Sequence, residues 1–256
     1  MRPIRTSFEE IGEHFDVVYV ENSILLKERG VQNFPWGQRI GLAQHLRASQ
    51  RFRDLSPRIL YSNLRGVELI NRAIKQQNNM TCIPEVLEKY EAFILHVKRV
   101  RDYLIKKGSK QAGRLQLELE EIARLHQSNY EILLGRITNG NDYSLRPRII
   151  INRMHIPKRG ELERKTRETS EVCPEEKICL ASAALTLGSN GKNVAIATCD
   201  LDIANIIYNY GSYLKKKGVK SPMVSVYFPQ TARWTKTESG MLFMVDTLEN
   251  CLEIKP

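Results

Sequence analysis

The sequence predicts a helix-rich α/β fold, three-layered α/β/α with a mainly parallel central sheet. Three observations predict it. Short β-branched and aromatic runs, "VVYV", "VAIAT" and "MVSVYF", read as buried strands. "VAIAT", "DIANIIYNYGSYLKKKG" and "MVSVYF" stand in strand–helix–strand order, which implies parallel strands with a helix covering the sheet. Long stretches elsewhere carry apolar residues at helical spacing.

The elements follow in order. Asp16 to Leu26, "DVVYVENSILL", reads as a strand, a polar turn at Glu21-Asn22-Ser23 and a helix start. Residues 36–76 read as helical with a break near "DLSPR". There Ser56 caps free N–H groups and Pro57 suits the first helical position. A helix opens near Pro84, repeats Leu87, Tyr90, Ile94, Val97 and Leu104, and ends at Gly108. Another is marked by Leu115, Leu119, Ile122, Tyr130 and Leu133. His126 lies near its apolar face and reads as a core or boundary histidine, with no second His or Cys at ligand spacing.

From Arg146 to Arg167 the helical pattern dissolves, and two prolines and a glycine argue for an exposed basic loop. It carries Arg146, Arg148, Arg153, Lys158, Arg159, Arg164, Lys165 and Arg167 against Glu161 and Glu163. Pro174 then opens a helix whose first-turn Glu175 and Glu176 suit the positive end of its dipole. "GSNGKN" is turn chemistry, and Gly218 stops the helix that ends in lysines. The tail "GMLFMVDTLENCLEIK" reads as a strand at the sheet edge or a segment that pairs two chains.

Bulk properties narrow the function classes. The chain of 256 residues is read as one domain. No apolar run approaches the roughly 18 residues that span a bilayer, and the first residues lack a secretory pattern. The cysteines number five, and no pair forms a C-x-x-C, which argues against a disulfide framework or a zinc site. A reducing, cytoplasmic compartment is expected. A net charge of +10 favours polyanionic partners such as nucleic acid. There is no G-x-x-x-x-G-K-[ST] loop and no G-x-S-x-G elbow.

The acids supply the candidate chemistry. Glu21 ends the first strand, and Asp200 and Asp202 follow "VAIAT". In open parallel sheets ligands bind beyond the carboxyl ends of the strands, so these acids are expected to face one crevice. Glu175 and Glu176 start one helix, and Glu88 and Glu91 lie in the first turns of another. Converging carboxylates repel unless a cation offsets them. Mg²⁺ or Mn²⁺ takes such oxygen ligands and serves phosphodiester hydrolysis. Taken singly, each acid also suits a cap or a solvated helix face.

The order "VVYVENSILL", "IPEVLEKYE", "PEEKICLASAAL", "VAIATCDLDI" resembles the PIN-domain nuclease family. Relative to a small PIN domain, residues 110–172 look like a helical and basic-loop insertion. The resemblance implies a metal-dependent endoribonuclease with Mg²⁺ or Mn²⁺. It assigns catalytic positions to Glu21, Glu88, Glu175 and Asp200, with Glu21, Glu175, Asp200 and Asp202 as metal ligands. Ser23 and Thr198 shape the site. Lys89 falls where the second acid belongs, so Glu88 or Glu91 substitutes, and Glu176 stands close behind Glu175. Glutamate replaces the family's aspartate at 21 and 175. The alternative reading is a catalytically weakened, PIN-like nucleic-acid-binding module. The expected partner is nucleic acid, RNA ahead of DNA, with no membrane. A homodimer or an inhibitory protein partner is a further implication of the resemblance.

Overall fold

The computed structural model describes residues 4–26, 57–107, 110–137, 145–154, 156, 175–198, 200–229 and 239–244. Among these, the strands are β1 (Ile4–Ser7), β2 (Val17–Val20), β3 (Met80–Thr81), β4 (Val194–Ala197), β5 (Val224–Pro229) and β6 (Ser239–Met244). The helices are α1 (Asn22–Leu25), α2 (Pro57–Gln76), α3 (Pro84–Lys107), α4 (Lys110–Leu134), α5 (Leu145–Met154), α6 (Glu175–Ser189) and α7 (Leu201–Lys216). A 3-10 turn covers Ile11–His14. No described helix is long and apolar enough to cross a membrane.

The strands form one sheet in the order β1-β6-β5-β4-β2-β3. The four neighbours β5, β4, β2 and β3 are parallel, and β6 runs antiparallel to both β5 and β1. This is an α/β fold, helix-rich, as the alternation predicts. From β2 the chain returns to the sheet first on one side, as β3, and then on the other, as β4. That reversal makes the carboxyl ends of β2 and β4 the topological switch point, where open α/β sheets place their ligand crevice. Val18, Tyr19 and Val20 of β2 and all four residues of β4 are fully buried, which is why both read as near-continuous apolar runs.

Helix α6 is apolar on nearly every side. Ile178, Leu180, Ala181, Ala183, Ala184 and Leu185 are buried, because α3, α5, α7 and strands β4 and β5 all pack around it. Helix α4 packs on both α2 and α3, forming a second group of helices. Inside it, Tyr90 Oη and His126 Nδ1 share a hydrogen bond at 2.6 Å, and Asn129 Nδ2 donates to Tyr90 Oη at 3.4 Å. Asn71 Nδ2 closes the network on Asn129 Oδ1 at 2.7 Å. His126 is a buried core histidine, and burial depresses its pKa to about 3.

The structure corrects one expectation outright. Leu145–Met154 is a helix rather than a loop. Pro147 sits in its first turn, where a missing N–H costs nothing, and Ile151 is buried as the helix packs on α6. The isoleucine run masked the helical period. The tail question is answered for Ser239–Met244, which joins the sheet between β5 and β1 of its own chain. Strands β1 and β3 were not legible, since they span four and two residues without alternating patterning. Residues 36–56, Pro174 and the basic residues Lys158, Arg159, Arg164, Lys165 and Arg167 lie outside the described residues.

Candidate functional site

The site is built where β2 and β4 end side by side. Val20 pairs with Ala197, and Glu21 N then donates to Ala197 O at 3.1 Å. The next residues on each strand therefore meet. Thr198 Oγ1 donates to Glu21 Oε2 at 3.0 Å. Ser23 donates to the same oxygen twice, from its amide at 2.9 Å and from its hydroxyl. Glu21 thereby caps the short helix α1.

Glu21 is only 5% exposed. Burial raises its carboxyl from 4.5 to about 7; the Ser23 and Thr198 donors oppose that rise, and the charge of Asp200 adds to it. A carboxyl in that range is half-protonated near neutral pH, which suits proton transfer.

Asp200 sits one step further along the β4 side. Its amide donates to Thr198 Oγ1 at 2.8 Å, and its Oδ1 accepts from Asp202 N at 2.9 Å as the cap of α7. The two aspartates do not stand uncompensated. Lys177 Nζ lies 2.5 Å from Asp200 Oδ2 and 2.7 Å from Asp202 Oδ2.

The first turn of α6 divides the acids read from "PEEK". Glu176 is nine-tenths buried; its Oε1 accepts from Asn22 Nδ2 at 2.7 Å and its other oxygen pairs with Lys89. Glu175 is exposed and paired with Arg148 of α5. Glu176, not Glu175, thus joins the Glu21 side of the crevice, through the neighbouring residue Asn22. A helix turns about 100° per residue, so adjacent glutamates face different neighbours.

Helix α3 treats its acids similarly. Glu88 and Glu91 are exposed. Lys89 and Glu85, one turn apart on a shared face, are the residues that address α6. Lys89 pairs with Glu176, while the charge of Glu85 acts on Cys179 and Arg148. The Cys179 thiol is pushed up to about 12 by burial first and then by Glu85. Of the basic candidates, Arg146 and Arg153 are exposed on α5 and Arg148 is held by Glu175.

Four participants were not singled out from sequence as site residues: Asn22, Glu85, Lys89 and Lys177. Lys177 had a signal. It is the one charge in the run from Lys177 to Gly188, so packing that apolar helix buries it at a cost unless a counter-charge waits.

No family model, curated protein or solved structure matches this chain. Among the described residues, no group of three or more His, Cys, Asp or Glu side chains is gathered to hold a metal ion. One observation favours a cation nonetheless. Asn22 is 6% exposed, and its Oδ1 is buried without a hydrogen-bond partner. An orphaned acceptor beside Glu21 and Glu176 wants a donor or a cation. Asp200 and Asp202 supply carboxylate oxygens of the kind that suits Mg²⁺ or Mn²⁺, and in this structure the Lys177 ammonium is paired with both.

Proposed function

We propose that this protein is a metal-dependent endoribonuclease of three-layer, PIN-like architecture that hydrolyses phosphodiester bonds at the crevice between β2 and β4. The observation that carries the reading is the linked set Glu21, Asn22, Glu176, Thr198 and Asp200 at the topological switch point, with Asn22 Oδ1 left as an orphaned acceptor. Glu21, Asp200 and Asp202, with Asn22 Oδ1, are the donors that would hold Mg²⁺ or Mn²⁺. Such an ion supplies Lewis-acid activation and offsets phosphate charge. Glu21 would also be placed to accept the proton of the attacking water on its carboxylate. Thr198 and Ser23 fix the orientation of that carboxylate by their three donated hydrogen bonds. Arg146 and Arg153, exposed on α5, meet the phosphate backbone. The buried free thiols Cys82 and Cys179 fit a reducing cytoplasm.

A second reading, a nucleic-acid-binding module with a weakened metal site, is favoured by Lys177 and Lys89, which already neutralise Asp200, Asp202 and Glu176. Incubation of single-stranded RNA and DNA with Mn²⁺ or Mg²⁺ separates the readings. The nuclease cleaves RNA, and Asp200→Asn, which preserves the helix cap, lowers the rate by about a hundredfold or more. Binding without cleavage in either metal selects the module. No binding to either nucleic acid at low salt rejects both.

A further inference from the structure

A cavity of about 420 Å³ lies at the end of the sheet opposite the crevice, where β5 begins. The last turn of α6 forms one wall, Tyr210 and Leu214 of α7 a second, the segment 219–223 a third and the first turn of α5 the last. Gly188 in its lining stands about 16 Å along α6 from Lys177, so the cavity is separate from the acids at the carboxyl ends of β2 and β4. Resting on the nucleic-acid partner that both readings above share, and not on a metal, we propose that this cavity seats one nucleotide of a single-stranded RNA outside the crevice.

Three facts carry this. First, the charge of the lining is of one sign. Arg146 and Lys220 line the cavity, and no carboxylate does. Lys215, Lys216 and Lys217 stand between Leu214 and Val219, which both line it. The crevice lysines are spent on Asp200, Asp202 and Glu176, whereas no ion pair of the described residues engages Lys215, Lys216, Lys217 or Lys220. Such unspent charge attracts a run of phosphates rather than a single anion. Second, the walls mix apolar and polar groups as a nucleotide does. Val219 and Met223, 50% and 43% exposed, offer apolar surface to the face of a base. Ser221 and Asn190 bring a hydroxyl and an amide for its edge. Third, the cavity is concave and preformed. Lys192 N donates to Leu187 O at 3.1 Å and Val219 N to Leu214 O at 3.0 Å, so the turns on both sides are tied back to α6 and α7. A base splayed out of a single strand enters such a cavity, while a stacked and paired base presents neither its face nor its edge.

Fluorescence anisotropy of a labelled oligouridine with the full chain, at low salt and without divalent ions, tests the site independently of cleavage. The proteins are wild type, Lys220→Gln, the cavity-filling Ser221→Trp and Lys106→Gln, a control for an exposed lysine of α3 outside the cavity, each checked for a cooperative thermal transition. Lys220→Gln and Ser221→Trp are each expected to weaken binding by about tenfold, and Lys220→Gln to lower the salt slope by about one. The control is expected to stay within about twofold of wild type. Equal losses in Lys220→Gln and Lys106→Gln, with none in Ser221→Trp, overturn the cavity and leave the nucleic-acid partner standing. Absence of binding in wild type overturns both. Uridine monophosphate that binds as tightly as the strand assigns the cavity to a free nucleotide and overturns the strand, and oligoglutamate that binds as tightly overturns nucleotide chemistry altogether. If Ser221→Trp does not fold, photo-crosslinking of 4-thiouridine RNA to wild type decides. Crosslinks are expected on the segment 219–223 or on Tyr210, and crosslinks confined to other segments refute the proposal.

Discussion

Thr198 Oγ1 donates to Glu21 Oε2 at 3.0 Å while accepting from Asp200 N at 2.8 Å. One hydroxyl thus ties the end of β2 to the turn that follows β4. It orients both acids of the crevice, one directly and one through the backbone.

Thr198→Val keeps the shape and removes that hydroxyl. A buried acceptor on Glu21 and the Asp200 amide then lose a partner, at a cost of about 1–3 kcal/mol. Urea unfolding is expected to show this loss, with Thr198→Ser retaining most of the stability. A valine variant as stable as wild type would mean the link is dispensable.

Glu21 makes stability depend on pH in an unusual direction. Its carboxyl is raised from 4.5 to about 7, so between those values the folded chain holds a proton that the unfolded chain has released. This contribution is complete below pH 4.5, declines as pH rises and is lost above about 7. The shift corresponds to roughly 3 kcal/mol. Glu21→Gln is expected to melt higher than wild type at pH 8 and level with it near pH 4.5. Parallel melting curves across that range would contradict the account.

His126 acts in the opposite sense. Its pKa falls from 6.5 to about 3 because burial disfavours the imidazolium. The unfolded chain binds the extra proton below 6.5, so this term stabilises the fold above that value and is lost on acidification toward 3. NMR of the ring carbons is expected to show no titration between pH 5 and 8. A midpoint near 6.5 would show that the Tyr90–His126–Asn129 network is open to water.

At Gly188 helix α6 packs against Val224 of β5 and Pro222 just before it. An added Cβ would lie 2.8 Å from Val224 Cγ2 and 3.1 Å from Pro222 Cβ. Gly188→Ala is expected to destabilise by about 1–3 kcal/mol through overpacking. Gly113→Ala in α4, where an added Cβ meets nothing within 4 Å, is expected to stabilise by up to about 1 kcal/mol. Equal shifts in melting temperature for the two variants would refute this packing argument.

Some of this was legible along the chain. "VVYV" and "VAIA" announce themselves because central parallel strands are buried on both faces, so local apolarity and tertiary burial coincide. The helices α3 and α4 announce themselves by periodicity, and Asp200 by its place after a strand. α5 did not, because three consecutive isoleucines hide a helical stripe that appears only once α6 covers one side.

The acids divide on the same principle. By itself the sequence determined the central parallel strands β2, β4 and β5 and the helices α3, α4, α6 and α7, and that acids follow two of those strands. It left Glu175 and Glu176 equivalent, and likewise Glu88 and Glu91. Only the tertiary structure turned Glu176 toward Asn22 and Glu175 toward Arg148, left Glu88 and Glu91 in solvent, and set Lys177 between Asp200 and Asp202. The physical reason is that burial and backbone pattern are properties of a segment. The partner of a charge depends on the rotation of its helix against neighbours distant in sequence, and no local pattern encodes that rotation.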